Sequence, residues 1–155
     1  MDPKLITIKK TSKEKYLAMS ATILSDTREI HTPNGDVYKG KVKDGKPHGH
    51  GKVVFKNGMT YEGDYIDGKR HGNGTLTFPN GQRYEGQWWE NKPQGKGFEL
   101  TASGDHYEGD FVGGERSGQG KLTRPDGSTY TGQWMNGLPH GEGIETHVDG
   151  PTYEG

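Results

Sequence analysis

His48, His71 and His140 stand at the same place in a recurring phrase, each followed by a glycine. Neutral imidazoles are good zinc ligands, so a repeated column of them raises the question of a metal site. The spacing answers it. If each repeat contributes two neighbouring strands, equivalent side chains in successive repeats stand about 9.6 Å apart. Zinc holds its ligands at about 2 Å, so one ion cannot join two members of the column. Gln94 and Ser117 fill the same place in the remaining repeats. A turn hydrogen bond or ring packing suits such a mixed column better than coordination.

Other candidate chemistry dissolves in the same way. Gly63-Asp64-Tyr65-Ile66-Asp67-Gly68-Lys69 spells most of a phosphate-binding loop, but Arg70 sits where a hydroxyl must hold magnesium. The stretch from Gly40 to Lys46 makes the same near-miss one repeat earlier and is followed by Pro47, so the repeat itself generates the likeness. Ser117 lies in a hairpin connection, with its nearest histidines in sequence at His106 and His140. Glu62, Glu85 and Glu108 recur in register and read as a solvated row rather than an acid–base pair. No cysteine is present, which removes thiolate metal sites, disulfides and cysteine nucleophiles. The expectation is a chain that is not an enzyme and needs no cofactor or metal.

The composition bounds what remains. Only 26% of the 155 residues are hydrophobic and 27 are glycine, a thin supply for a thick core. Disordered chains lack aromatics and carry high net charge; here aromatics make up 10% and the net charge is -1. An ordered, thin, glycine-punctuated structure fits both. Near-zero charge gives no general pull toward nucleic acid. No apolar run approaches a membrane span, and Met1 to Lys15 lacks the apolar stretch of a signal peptide, so a cytoplasmic chain is expected.

The elements that position these residues follow from one period. Tyrosines fall at 38, 61, 84, 107, 130 and 153, with glycines in step two residues later. Each unit reads as two short strands. Tyr61, Gly63 and Tyr65 share one face against Glu62 and Asp64, and Leu76 and Phe78 share a face against the threonines. Pro79-Asn80-Gly81 and Pro125-Asp126-Gly127 carry three-residue turn chemistry. The other connection, such as Asp67 to Gly72, is glycine-bounded and charged. Short links make neighbouring strands antiparallel. The predicted fold is all-β, an elongated single-layer antiparallel meander of 23-residue hairpin repeats. Residues 1–27 form an N-terminal cap or docking segment with a possible short helix at 12–24. Residues 28–37 form a partial repeat, 38–152 five full repeats, and 153–155 the start of a sixth. Phe98, Leu100 and Ile144 break the alternation, through either a bulge or a second apolar patch on the back.

The pattern resembles the MORN (membrane occupation and recognition nexus) repeat family. The matching residues are Tyr-Glu-Gly at 61–63, 84–86 and 107–109, with His-Gly-x-Gly at 48–51, 71–74 and 140–143. The resemblance implies a non-enzymatic scaffold or adaptor, with a ciliary or cytoskeletal assembly, as in radial-spoke members, as the favoured setting. A regulatory region of a larger enzyme is the further alternative. Two surfaces offer themselves. The aromatic row Tyr61, Tyr65, Tyr84, Trp88, Tyr107, Phe111, Tyr130 and Trp134 lies on a face that no second sheet covers. It is expected to stay partly open and to bind a helical or extended segment of a partner protein. The basic connection residues Lys46, Lys69, Arg70, Lys92 and Arg116 are the candidates for contact with an anionic membrane or a phosphoinositide. Tyr153-Glu154-Gly155 opens a strand with no partner, so a homodimer or a continuation of the chain through that edge is expected.

Overall fold

In the computed structural model, which describes residues 27–148, the alternating segments pair in sequence order into one open antiparallel sheet. Its strands are β1 (Thr27–His31), β2 (Val37–Lys43), β3 (Lys46–Val54), β4 (Thr60–Ile66), β5 (Lys69–Thr77) and β6 (Arg83–Trp89). They continue as β7 (Lys92–Leu100), β8 (His106–Val112), β9 (Glu115–Thr123), β10 (Thr129–Met135) and β11 (Leu138–Thr146). The expected single-layer meander is what forms. β1 comes from the partial unit that precedes Tyr38. The N-terminal cap with its helix at 12–24, and the opening of a sixth unit at 153–155, lie outside the described residues.

The two kinds of turn differ in length. Pro79-Asn80-Gly81 closes a three-residue loop: Gly81 N–H donates to Phe78 O, and Asn80 Oδ1 accepts from Gln82 N–H. The other connection is shorter than the span from Asp67 to Gly72. Only Asp67 and Gly68 lie between β4 and β5, at φ 49° and 81°, a two-residue turn with both residues left-handed whose twist matches the strands. Lys69 to Gly72 are therefore strand residues. Because the turn is tight, its two N–H groups have no partner within the hairpin, and both reach the preceding unit. Gly68 N–H donates to Pro47 O at 2.8 Å and Asp67 N–H to His48 Nδ1 at 3.3 Å.

Each hairpin also carries a bulge. Between Gly63 and Tyr65 the register slips: His71, Gly72 and Asn73 of β5 stand opposite the single residue Asp64. Its orphan carbonyl accepts from Tyr61 Oη at 2.9 Å, and its carboxylate accepts from Asn73 N–H at 3.2 Å. To reach that carbonyl the tyrosine ring lies across the facing pair Gly63 and Gly74. A Cβ on Gly74 would stand inside the Tyr61 ring, and Tyr61 is fully buried. Core and backbone thus share one layer.

Phe98 and Leu100 involve no additional slip: Phe98 stays in register with Glu85 and Glu108. The back of the sheet therefore carries an apolar patch there, with Arg83 over the Phe98 ring and His106 edge-on to it at 5.5 Å.

Two stability measurements follow. By urea denaturation, Gly74→Ala is expected to cost about 3 kcal/mol through overpacking. Gly81→Ala, where nothing lies within 4 Å, should cost only the left-handed penalty of about 1 kcal/mol. Equal losses would refute the ring-over-glycine account. In the third unit's tight turn Glu90 holds φ 42°, where asparagine is better tolerated. Glu90→Asn should raise stability by about 0.5 kcal/mol, the relief outweighing its exposed pair with Lys69.

Candidate protein-binding surfaces

The aromatic face is built from rings that meet edge to face. Tyr38, Tyr65, Tyr61, Trp88, Tyr84, Phe111, Tyr107, Trp134 and Tyr130 form one unbroken chain, with successive ring centroids 4.9 to 5.3 Å apart. The second aromatic of each hairpin bridges to the unit before it: Trp88 Nε1 donates to Gly74 O at 2.9 Å and Trp134 Nε1 to Gly120 O at 3.1 Å. Arg70 lies over Tyr61 and Trp88, its guanidinium 4.9 Å from the indole centroid, and Arg116 lies over Tyr107 and Trp134. Arg116 is held there by Glu99 at 2.7 Å.

This closure corrects one expectation. All eight rings named as partner-binding, Tyr61, Tyr65, Tyr84, Trp88, Tyr107, Phe111, Tyr130 and Trp134, are buried, none more than 9% exposed. Edge-to-face packing with arginine lids covers them without a second sheet, so the row builds the ribbon and does not stand open.

The basic set also divides. Arg70 pairs with Tyr65 across the hairpin and Arg116 with Phe111, so both side chains belong to the aromatic face. Burial lowers the Arg70 pKa from the ordinary arginine value. Lys69 pairs with Ile66, Lys92 with Trp89 and Lys46 with Lys43, on the opposite face at the tight-turn edge. Five residues expected to form one row of tips therefore form two sets, and only the three lysines are exposed.

The histidine column serves the turns. His48 and His71 accept N–H groups from the next unit's tight turn through Nδ1, and Gln94 does so through Oε1 to Gly113 N–H at 2.8 Å. Among the described residues no cluster of His, Asp and Glu is arranged to hold a metal. Glu62, Glu85 and Glu108 border an open trough of about 660 Å3 on the back, together with His50, Asp64 and Lys96.

The exposed apolar residues, which include Val54, Ile144 and Val148, also contain a different row. Ile66, Trp89, Val112 and Met135 end the first strand of successive hairpins and are 45, 59, 57 and 49% exposed; Leu138, beside Met135, is 67% exposed. They point away from the rings, next to the lysines. The signal was present in the sequence as apolar residues at 66, 89, 112 and 135, in step with the tyrosines.

The geometry defines the class of the protein: a one-layer β-hairpin repeat array whose aromatic side is its core. The MORN repeat family model matches five times in tandem, at 38–60, 61–83, 84–106, 107–129 and 130–152. The chain belongs to the MORN repeat family, whose repeats serve generally as non-enzymatic modules that bind protein or membrane. No curated protein matches it. Among solved structures it is similar to the TCP domain of Drosophila melanogaster SAS-4, determined in complex with a proline-rich motif of dSTIL. The identity is 16%, over 93% of this chain and 97% of that one, with a TM-score of 0.31.

Burial of the tyrosines has a consequence at high pH. Desolvation pushes the Tyr38 and Tyr107 hydroxyls up to about 12, and raises Tyr61, Tyr65 and Tyr84 as well. In the unfolded chain a tyrosine titrates near pH 10. From about pH 10 to 12 the folded chain keeps protons that the unfolded chain has lost, so stability falls with rising pH across that window. Unfolding free energy should be flat from pH 7 to 9 and drop by several kcal/mol by pH 11.5. Urea melts, with tyrosinate absorbance followed in parallel, test this; tyrosines ionising near pH 10 without loss of structure would refute it.

Proposed function

We propose that this chain is a non-enzymatic scaffold that docks a segment of a partner protein along the row Ile66, Trp89, Val112 and Met135. The observation that carries the reading is the exposure of these four large apolar side chains in register on one edge of a rigid ribbon. Scattered single apolar residues on a surface need no explanation, whereas four at the same place in successive repeats, with Lys69, Lys92 and Glu115 between them, form a regular pattern that an interaction would explain. Trp89 is the natural anchor, since tryptophans dominate binding energy where they enter a partner. The family resemblance favours a ciliary or cytoskeletal assembly as the setting, which a tagged full chain in the cell would test by its location.

A second reading rests on the lysines. Lys46, Lys69 and Lys92 flank Ile66 and Trp89 on the same edge, and apolar side chains interleaved with basic ones suit an anionic membrane surface. Glu115 and Leu138 replace lysine farther along, so this reading concerns one half of the row and the protein-docking reading the whole of it.

The experiment is affinity recovery from the source cell with wild type and with Trp89→Asp combined with Val112→Asp. Both sites are exposed, so the melting temperature should hold while partner recovery falls at least about tenfold. Undiminished recovery from the folded double variant refutes docking along the row. Sedimentation with phosphatidylserine vesicles that is lost in Lys69→Glu with Lys92→Glu, and suppressed by salt, would favour the membrane reading.

A further inference from the structure

Beside Trp89 the sheet forms a cleft of about 260 Å3 bordered by His71, Asn73, Gln87, Trp89 and Gln94. One side is aromatic: the His71 and Trp89 rings pack against each other, their centroids 4.3 Å apart. Its polar groups are oriented by what they already do. Gln87 Oε1 accepts from Lys96 N–H at 2.7 Å and Gln94 Oε1 from Gly113 N–H at 2.8 Å. Each amide therefore has its oxygen engaged and its NH2 left to donate. His71 accepts at Nδ1 from Glu90 N–H, which places the proton of the neutral ring on Nε2. Trp89 is the one indole whose N–H has no acceptor among the described residues, since Trp88 and Trp134 are bonded to Gly74 and Gly120. The cleft is a hollow with one aromatic side, where open donors outnumber open acceptors, the amide oxygen of Asn73 being one of the latter.

The complementary ligand has carbonyl acceptors, no N–H groups and flat apolar rings. Consecutive prolines answer that description, because proline keeps its carbonyl and lacks the N–H. An α-helix has its carbonyls engaged internally, and an added β-strand brings an N–H with every non-proline residue. We propose that the Trp89 cleft receives a proline-rich segment in the polyproline II conformation, extending along the exposed row. The proposal rests on the docking reading above and names the partner's chemistry.

The repeat distance agrees. From Ile66 to Met135 is three repeats, or six strand spacings of about 4.8 Å, roughly 29 Å in all. Polyproline II returns to the same face every three residues, and nine residues at about 3.1 Å cover roughly 28 Å. Three helical heptads at 1.5 Å per residue would span about 31.5 Å and drift out of register. Lys92, across the hairpin from Trp89, has no carboxylate partner among the described residues, and it favours an acidic residue on the segment's flank.

The probe is capped nonaproline, alone and with an aspartate at either end, against a capped glycine–serine peptide of equal length. The readout is the indole N–H resonances of the full 155-residue chain. The expected result is a saturable shift of the Trp89 indole with nonaproline, tighter binding with aspartate, and no comparable shift with glycine–serine. Trp89→Phe, followed at neighbouring amides, should weaken binding about tenfold. Gln94→Glu keeps an acceptor for Gly113 N–H but loses the donor, and should weaken binding several-fold. No saturable shift at millimolar nonaproline, or an equal response to glycine–serine, overturns the proposal. If nonaproline fails while partner recovery still depends on Trp89 and Val112, the polyproline assignment falls and the docking row stands. If both fail, the row itself is not the site.

Discussion

The structure depends on how the bulge in each hairpin is satisfied. In each unit the second strand bulges, setting three of its residues opposite one of the first strand, which is Lys41, Asp64, Gln87, Asp110 or Gln133. An unpaired carbonyl in a half-buried sheet costs free energy unless a donor reaches it. In every unit the donor is the hydroxyl of the tyrosine three residues earlier, at 2.6 to 2.9 Å. For the hydroxyl to arrive, the ring must lie flat over the backbone, and only facing glycines leave room for it. The tyrosine, its glycine pair and the bulge are one device. Phenylalanine would fill the same space and leave the carbonyl orphaned.

That device sets how units join. A ring lying flat offers its face to the next aromatic, so Tyr61 receives the edges of both Tyr65 and Trp88. Such contacts add to simple burial, and they run across unit boundaries as readily as within them. The tight turn adds to the coupling, because its N–H groups find acceptors only in the preceding unit. Nearest-neighbour coupling of this kind makes stability a sum over units and interfaces. It also explains a composition that is poor in aliphatics: the core is one ring deep.

Much of this was legible from spacing. The period, the antiparallel meander, the three-residue turns and the role of glycine beneath a ring follow from the tyrosine and glycine positions. The structural part of the histidines followed from the mixed column of His48, His71 and Gln94. What spacing did not reveal was closure. Whether Trp88 stands open or buried depends on where the neighbouring unit's tyrosine lies in three dimensions, and on Arg70, whose face is decided by a turn two residues long. A longer connection would have left Lys69 and Arg70 together at a loop tip. The tight turn makes them adjacent strand residues, and adjacent strand residues point to opposite faces. The lysine therefore goes to solvent and the arginine onto the rings.

The same alternation decides where recognition can reside. Every residue on the ring side answers to two constraints, the bulge carbonyl and the neighbouring unit, so few substitutions there leave the ribbon intact. The opposite side answers to neither beyond the turn acceptors and bulge caps. At the strand end following Tyr65, Trp88, Phe111 and Trp134, the residue facing outward caps no bulge, and only Trp89 meets a ring, that of the turn acceptor His71. Yet it is Ile66, Trp89, Val112 and Met135, each large and apolar. Polar residues would serve the fold at those places, and Lys43 occupies the equivalent place in the first unit. A solvent-facing row that folding does not require, and that solubility would disfavour, needs an interaction to account for it. The buried face makes the ribbon rigid, and rigidity keeps the exposed row in register for whatever docks along it.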